Sequence, residues 1–417
     1  MSQRSFGPFD LDLATGELRR NCRRVRLQPL LSRLLVELAS RPGELIARDE
    51  LARKLWPAGL HVDYENSLNN AVARLRRILG SRWIATLPKR GYRFQGARTG
   101  GARRRADPAA ERAWRRARHF WNRTTIPDLQ RAVAASRESI AIDPGYAPAH
   151  AGLADACILL GDEILGGMDP RNALAEAEAA ARRALEIDGD CAEALAALGM
   201  VAWRLHWDWD SAERYLRASI AIQPEYATSR LYYAWLLLAR NRRREAEAEV
   251  FQAWELDPVS SFVGTNVGWV LYTGRRFSDA IARMRETLVL NEHYAMAHLP
   301  LGLSLQHSGR VAEAVPLLAK GVALAGGAAP YYRAALGLAL AASDQVAPAR
   351  KILESSGAFD RAIVHLGFGE TGFALDCLEQ AVLEGSSHLA YLEADPMFDA
   401  LRGERRFQRI ARNIGLR

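Results

Sequence analysis

SLNNAVARLRRILGSRWIATLPKRGYRF, residues 67–94, changes period twice. In its first half Leu68, Val72, Leu75 and Leu79 fall on one line of a 3.6-residue helix. At 100° per residue the opposite side holds Asn66, Asn70, Ala73, Arg74 and Arg77, with Asn69 and Arg76 on the flanks. IATL and YRF then read as two strands joined across PKRG, whose Gly91 supplies the turn and whose Lys89 and Arg90 stand at the tip. No acidic residue occurs from Ser67 to Leu87. A merely solvated helix face mixes Glu or Asp with its Lys and Arg. Asn can pair with adenine and Arg with guanine in a major groove, small Ala73 admits a thymine methyl, and a basic hairpin tip suits phosphates or a narrow minor groove.

Working outward, this helix spans about 65–79 and stops at Gly80. PLLSRLLVELA, 29–39, is a first helix with Pro29 in its first turn and an apolar stripe of Leu31, Leu34, Leu35 and Leu38. RDELARKLW is a second, closed by Pro57. FDLDL, ELRRN and RRVRL read as short strands, with turns at ATG and around Asn21. Charge follows the same division. Residues 1–105 carry 22 Lys+Arg against 9 Asp+Glu, and the remainder carries 34 against 39. A basic quarter on an acidic body is the electrostatic mark of a polyanion-binding domain.

FGPFDLDLATGEL, RPGELIARDELARKLWP, ENSLNNAVARLRRILG and IATLPKRGYRF, in that order, resemble the OmpR/PhoB-type winged-helix DNA-binding domain, in its ToxR/CadC-like branch. The resemblance implies an N-terminal four-stranded sheet, a helix-turn-helix variant and a C-terminal hairpin wing. It also implies that 64–79 is the recognition helix, with Asn70, Arg74 and Arg77 toward DNA and Arg90 at the wing. Loop 57–63 matches the segment with which this family touches RNA polymerase. The chain departs from the pattern at Ala47, where the family caps its second helix with Ser or Thr, and at Cys22, where it has a turn glycine.

GARTGGARRRADP, 96–108, has Gly, Arg and a closing Pro without apolar period, and reads as a linker. The expected division is a winged helix at 1–97, a basic linker at 98–108 and a helical array at 109–417. In the array Ala212, Ala246, Ala280 and Ala314 stand 34 apart. Larger apolar residues follow each by four (Leu216, Val250, Met284, Leu318) and small ones by seven (Ser219, Ala253, Thr287, Gly321). Gly268 and Gly302 precede the last two by twelve. That beat is the tetratricopeptide pattern, in which small residues let paired helices approach. Looser copies at Ala132, Ala177, Gly337 and Ala374 extend it to about seven or eight repeats, with DPMFDALRGERRFQRIARNIGL as capping helices. The fold class expected is mainly α: a small α+β winged helix-turn-helix domain followed by an all-α solenoid. The combination is similar to the HilA-like group of winged-helix plus tetratricopeptide activators.

A solenoid groove usually takes a protein or peptide partner. Trp203, Trp207, Trp209, Tyr232, Tyr233 and Trp235 read chiefly as packing between repeats, with a binding groove as the lesser alternative, and the insertion at 161–172 is a further contact candidate. GFGETG, 367–372, matches a dinucleotide fingerprint but falls between two helices of the last repeat. The scattered histidines and four separated cysteines show no metal spacing. No catalytic residue, metal or cofactor is expected, nor any signal peptide, receiver domain or membrane helix. The reading is a cytoplasmic, sequence-specific regulator of transcription. It binds double-stranded DNA through Asn66, Asn69, Asn70, Ala73, Arg74, Arg76 and Arg77 with Lys89 and Arg90. The alternative is an interaction scaffold whose winged helix binds DNA without reading sequence.

Overall fold

The computed structural model describes residues 3–6, 9–20, 23–56, 64–80, 83–87, 90–95, 106–326 and 329–414. They divide into two units, Met1–Arg105 and Ala106–Arg417. The first opens with an antiparallel meander of β1 (Gln3–Phe6), β2 (Phe9–Asp12), β3 (Leu18–Arg20) and β4 (Arg23–Val25). Asp12 builds the turn between β2 and β3, its Oδ1 accepting from the amides of Ala14 and Thr15 at 2.8 and 3.1 Å. At Gly16, φ is +70°, and the missing side chain makes room for Ser32, which donates to the Gly16 carbonyl at 2.7 Å and ties the sheet to α1 (Pro29–Ser40). The N-terminal strand β1 is additional to the three read from residue pattern, and matches the four-stranded sheet the family resemblance implied.

A second sheet, in the order β5-β7-β6, joins β5 (Leu45–Ala47) to a hairpin of β6 (Ile84–Leu87) and β7 (Gly91–Phe94). Three residues are too few to show a period, which is why β5 escaped the sequence reading. Gly91 pairs with Ala47, and a Cβ there would be driven into the Ile46 carbonyl, so glycine is needed for close strand approach as well as for the turn. Phe6 meets Phe9, Trp83 and Phe94 with centroids 5.5, 5.3 and 4.9 Å apart, welding the two sheets. Between them pack α1, α2 (Arg48–Leu55) and α3 (Tyr64–Leu79), which bury Leu34, Leu35, Leu51, Leu68, Val72 and Leu75.

The second unit starts three residues inside the expected linker. Asp107 caps α4 (Pro108–Trp121), accepting from the Ala109 amide at 2.7 Å, so Asp-Pro marks a helix start and not a linker's end. Among the described residues sixteen helices, α4 to α19 (Thr371–Glu384), follow one another as eight helix pairs. The 34-residue beat is a packing rule. Ala212, Ala246, Ala280 and Ala314 have no exposed surface, and neither do Leu216, Val250 and Met284. On the first helices of their pairs, Gly268 and Gly302 lie against Met284 and Leu318 of the second, with no room for a side chain between. GFGETG is the turn between α18 (Ala358–Gly367) and α19. The structure is thus a winged helix-turn-helix domain followed by a helical solenoid.

Candidate nucleic-acid interface

The α3 stripe is buried as expected, which leaves Asn66, Asn69, Asn70, Ala73, Arg74 and Arg77 exposed on the other side. These side chains divide by what they touch. Asn70, Arg74 and Arg77 have no hydrogen-bond or ion-pair partner among the described residues. Asn69 is held: its Oδ1 accepts from the Tyr92 hydroxyl at 2.6 Å and from Arg48 Nη1 at 3.0 Å. The Arg48 guanidinium also lies 5.0 Å from the Tyr92 ring centre. Arg76 is half-buried and turned to the wing, where Nε and Nη2 donate to the Ile84 carbonyl at 3.0 and 2.6 Å and Nη2 reaches Thr86 Oγ1 at 2.7 Å.

Arg90 is exposed where the hairpin turns, and its amide donates to the Leu87 carbonyl at 3.0 Å. Lys89, loop 57–63 and residues 98–105 of the linker lie outside the described residues. Arg48, Thr86 and Tyr92, the residues that fix Asn69 and Arg76, were not singled out from the sequence. Their signal is spatial, coming from β6, β7 and the start of α2 folding beside α3.

α2 begins at Ala47 without a side-chain cap, as the sequence implied, although Asp49 and Glu50 in its first turn suit the helix dipole. Arg41 reaches across to Glu50, and that hydrogen bond, ahead of the cost of burial, holds the Glu50 carboxyl below its usual range.

In the solenoid the first helices of the pairs face a common interior, and the chain fills it. After α19, residues 386–401 run through the inner face as two 3-10 helices, Ser387–Tyr391 and Pro396–Leu401. Tyr391 meets Trp203 edge-on with centroids 5.9 Å apart, and Phe398 meets Phe359 at 5.7 Å. The buried Asp395 carboxylate accepts from Tyr272 and Tyr331 at 3.0 and 3.1 Å, and burial raises its pKa. The insertion between α6 (Ala147–Leu160) and α7 (Pro170–Ile187) clasps the same segment. Glu163 accepts from Ser386 Oγ at 2.6 Å and from the amide and hydroxyl of Ser387, both at 2.7 Å.

Beside it His388 lies 3.9 Å from Asp162. Burial alone would lower His388, but Glu163 and Asp162 carry its pKa upward. The first repeats also bridge to later ones, with Thr124 donating to Tyr294 at 2.7 Å and Trp121 packing on Phe262. The groove expected to be open is therefore occupied by the chain itself, since the aromatic inner face finds its cover 180 residues downstream of Trp203. Of the aromatics noted in the sequence, Trp203, Tyr232 and Tyr233 are buried and Trp207, Trp209 and Trp235 are partly so, in keeping with packing as their main role. At the C-terminal end α20 (Arg405–Asn413) buries Phe407 and Ile410 and pairs Arg406 with Asp376 and Glu379.

A winged helix with a cation-bearing outer helix, followed by a tetratricopeptide-like solenoid, defines the class. Residues 22–94 match the family described as "Transcriptional regulatory protein, C terminal", and the N-terminal unit is a winged-helix domain of the OmpR/PhoB type. The transcriptional regulator HilA of Salmonella typhimurium is 25% identical over 194 residues, 46% of this chain and 33% of that protein. The regulatory protein CseB of Streptomyces coelicolor is 35% identical over 91 residues, 22% of this chain and 38% of that one. The chain thus spans little more than a third of the length of these curated relatives. The crystal structure of the APC/C hetero-tetramer Cut9–Hcn1 superposes with a TM-score of 0.52 over 87% of this chain and 61% of that one, at 14% identity, a likeness of fold. Among the described residues no helix is long and apolar enough to cross a membrane, and no group of three His, Cys, Asp or Glu could hold a metal ion.

Proposed function

We propose that the protein is a sequence-specific, double-stranded-DNA-binding regulator of transcription whose solenoid receives a signal or partner. The carrying observation is the outer face of α3, where Asn70, Ala73, Arg74 and Arg77 are exposed and the amide and guanidinium groups have no partner among the described residues. Redirecting such groups toward a ligand breaks no bond within the protein, so the cost is confined to desolvation and side-chain ordering. Asn70, Arg74 and Arg77 read base edges and Ala73 admits a thymine methyl. Asn69 and Arg76, already bonded to Tyr92, Arg48 and the wing, set the helix and wing in register. Arg90 and Lys89 bind phosphate, and Asn66 flanks the groove contact. Loop 57–63 is proposed as the RNA polymerase contact on family resemblance alone, and a cytoplasmic location accords with the function.

Because residues 386–401 fill the inner face, a protein partner is assigned to the solenoid's outer surface. The test is selection of duplexes from a randomised library by the full chain, with affinity for the winner and for scrambled DNA measured across salt. An enriched motif whose preference survives high salt is expected. Arg74→Ala should then cost roughly 1–3 kcal/mol on that motif and little on scrambled DNA. Binding without enrichment, lost steeply with salt, would make the winged helix an electrostatic anchor.

A further inference from the structure

The segment that fills the solenoid does not fill it completely. A cavity of about 100 Å³ remains between the inner helices, the insertion and the C-terminal segment. Three successive repeats each give it an indole: Trp203 from α8 (Ala192–His206), Trp235 from α10 (Ala227–Ala239) and Trp269 from α12 (Ser261–Thr273). Trp235 and Trp269 stand at the same position of the 34-residue repeat. Met200, Met296 and Tyr391 complete a wall that is mostly apolar. Water is poorly held in such a space, because it needs two to four polar partners.

One corner is polar. The Arg204 guanidinium lines the cavity with only 3% of its side chain exposed. Its polar contacts are all long: 3.4 Å to the carbonyls of Ile158 and Gly161, and 3.3 Å to Asp162. A guanidinium has five N–H donors and good bonds lie near 2.9 Å, so this buried cation has donor capacity to spare. Asp162 and Asp395 line the same cavity beside Arg204 and His388, so groups of both signs face it and an uncharged ligand suits it better than an ion. An apolar cavity of ~150 Å³ holds benzene, so at about 100 Å³ a single ring is the most that this one admits.

We infer that the solenoid cavity is a binding site for an uncharged, single-ring aromatic molecule carrying one hydroxyl or carbonyl oxygen, stacked among Trp203, Trp235 and Trp269 with its oxygen accepting from Arg204. The inference deepens the reading of the solenoid as the signal-receiving half. Its readout is ligand binding alone, so its failure leaves the DNA-binding proposal standing.

The test is calorimetric titration of the full chain with phenol, with benzene and benzoate as comparison probes and melting temperature as a second readout. Saturable phenol binding that raises the melting temperature is expected, with benzene weaker and benzoate weakest. Met296→Phe, which sets a larger and more rigid ring against the cavity, should weaken phenol at least tenfold. Arg204→Met should weaken phenol while sparing benzene. If a variant does not fold, the wild-type order of the three probes decides. Absence of saturable phenol binding, benzoate binding more tightly than phenol, or phenol binding untouched by Met296→Phe in folded protein would each overturn the inference.

Discussion

Replacing Arg76 by Met separates two roles that the sequence could not. The side chain makes three hydrogen bonds to β6, at 3.0, 2.6 and 2.7 Å, from a half-buried position. Bonds from a charged donor are worth ~1.5–3 kcal/mol when buried. Partial exposure and a shared acceptor reduce the set to roughly 1–2 kcal/mol in all. Met keeps the aliphatic stem, so the loss is confined to the guanidinium. For a domain of this size each kcal/mol moves the midpoint by about 4–8 °C. The melting transition of the winged-helix unit should therefore fall by roughly 5–15 °C, while that of the solenoid stays put. Loss of the tie to the wing should weaken specific and scrambled DNA by similar factors, with the salt slope unchanged. A variant that melts like the parent yet loses affinity, with a salt slope lower by about 1, would show that Arg76 is a phosphate contact and that the positioning argument is wrong.

Other outcomes follow from the same geometry. Ala47→Ser supplies the missing cap of α2 and should raise the stability of the winged-helix unit by ~1 kcal/mol, read from its thermal midpoint. Gly302→Ala puts a methyl 2.6 Å from Leu318 Cδ2 and against the branch carbon of that side chain, so overpacking of ~1–3 kcal/mol should exceed the ~1 kcal/mol helix-propensity gain. Gly268→Ala meets the flexible end of Met284 instead and should cost less, an order that hydrogen exchange of the two repeats can check. Burial pushes Asp155 and Asp360 up to about 6, above their unfolded value of ~3.9. Each therefore contributes stability that is full below pH ~4 and is lost as the pH rises through about 6, and His388, raised by Glu163 and Asp162, acts in the same direction. His298 and His307, which burial lowers, act the other way, and against them these groups should still leave the solenoid melting lower at pH 7.5 than at pH 5, with Asp155→Asn removing a measurable part of that slope.

The sequence was legible where a side-chain period survives in one element. The α3 stripe, the Pro29 start of α1 and the Ala beat of the solenoid each repeat along one helix or from one repeat to the next, so their spacing alone reveals them. β5 did not show, because a strand of three residues has no period and exists only through pairing with Gly91–Arg93. The roles of Asn69 and Arg76 were equally hidden. Both lie on the flanks of the outer face on the helix wheel, but a wheel carries no information about Tyr92 or Ile84, which arrive from β7 and β6. The filled groove is the largest such case. Asp395 reads as part of a capping tail, and nothing local says that Tyr272 and Tyr331 wait for its carboxylate more than sixty residues upstream.

That filling is too strong to be a loose latch. Leu389, Leu392, Met397, Phe398 and Leu401 are each at most 5% exposed. At ~1.5–3 kcal/mol per fully buried side chain their packing is worth on the order of 10 kcal/mol, an upper value because unfolded chains already bury some apolar surface. The polar pins add direction more than energy. Arg275 with Asp399 and Arg243 with the Glu393 carbonyl are partly exposed, whereas Glu163 and Asp395 fix the register of the two 3-10 helices. A peptide arriving from outside would have to displace this segment against a local concentration no free ligand matches. A small molecule needs no displacement of the segment, since a cavity of about 100 Å³ is left beside Trp203, Trp235 and Trp269. Ligand size would therefore separate the two proposed surfaces: a small molecule inside the solenoid, a macromolecular partner outside it.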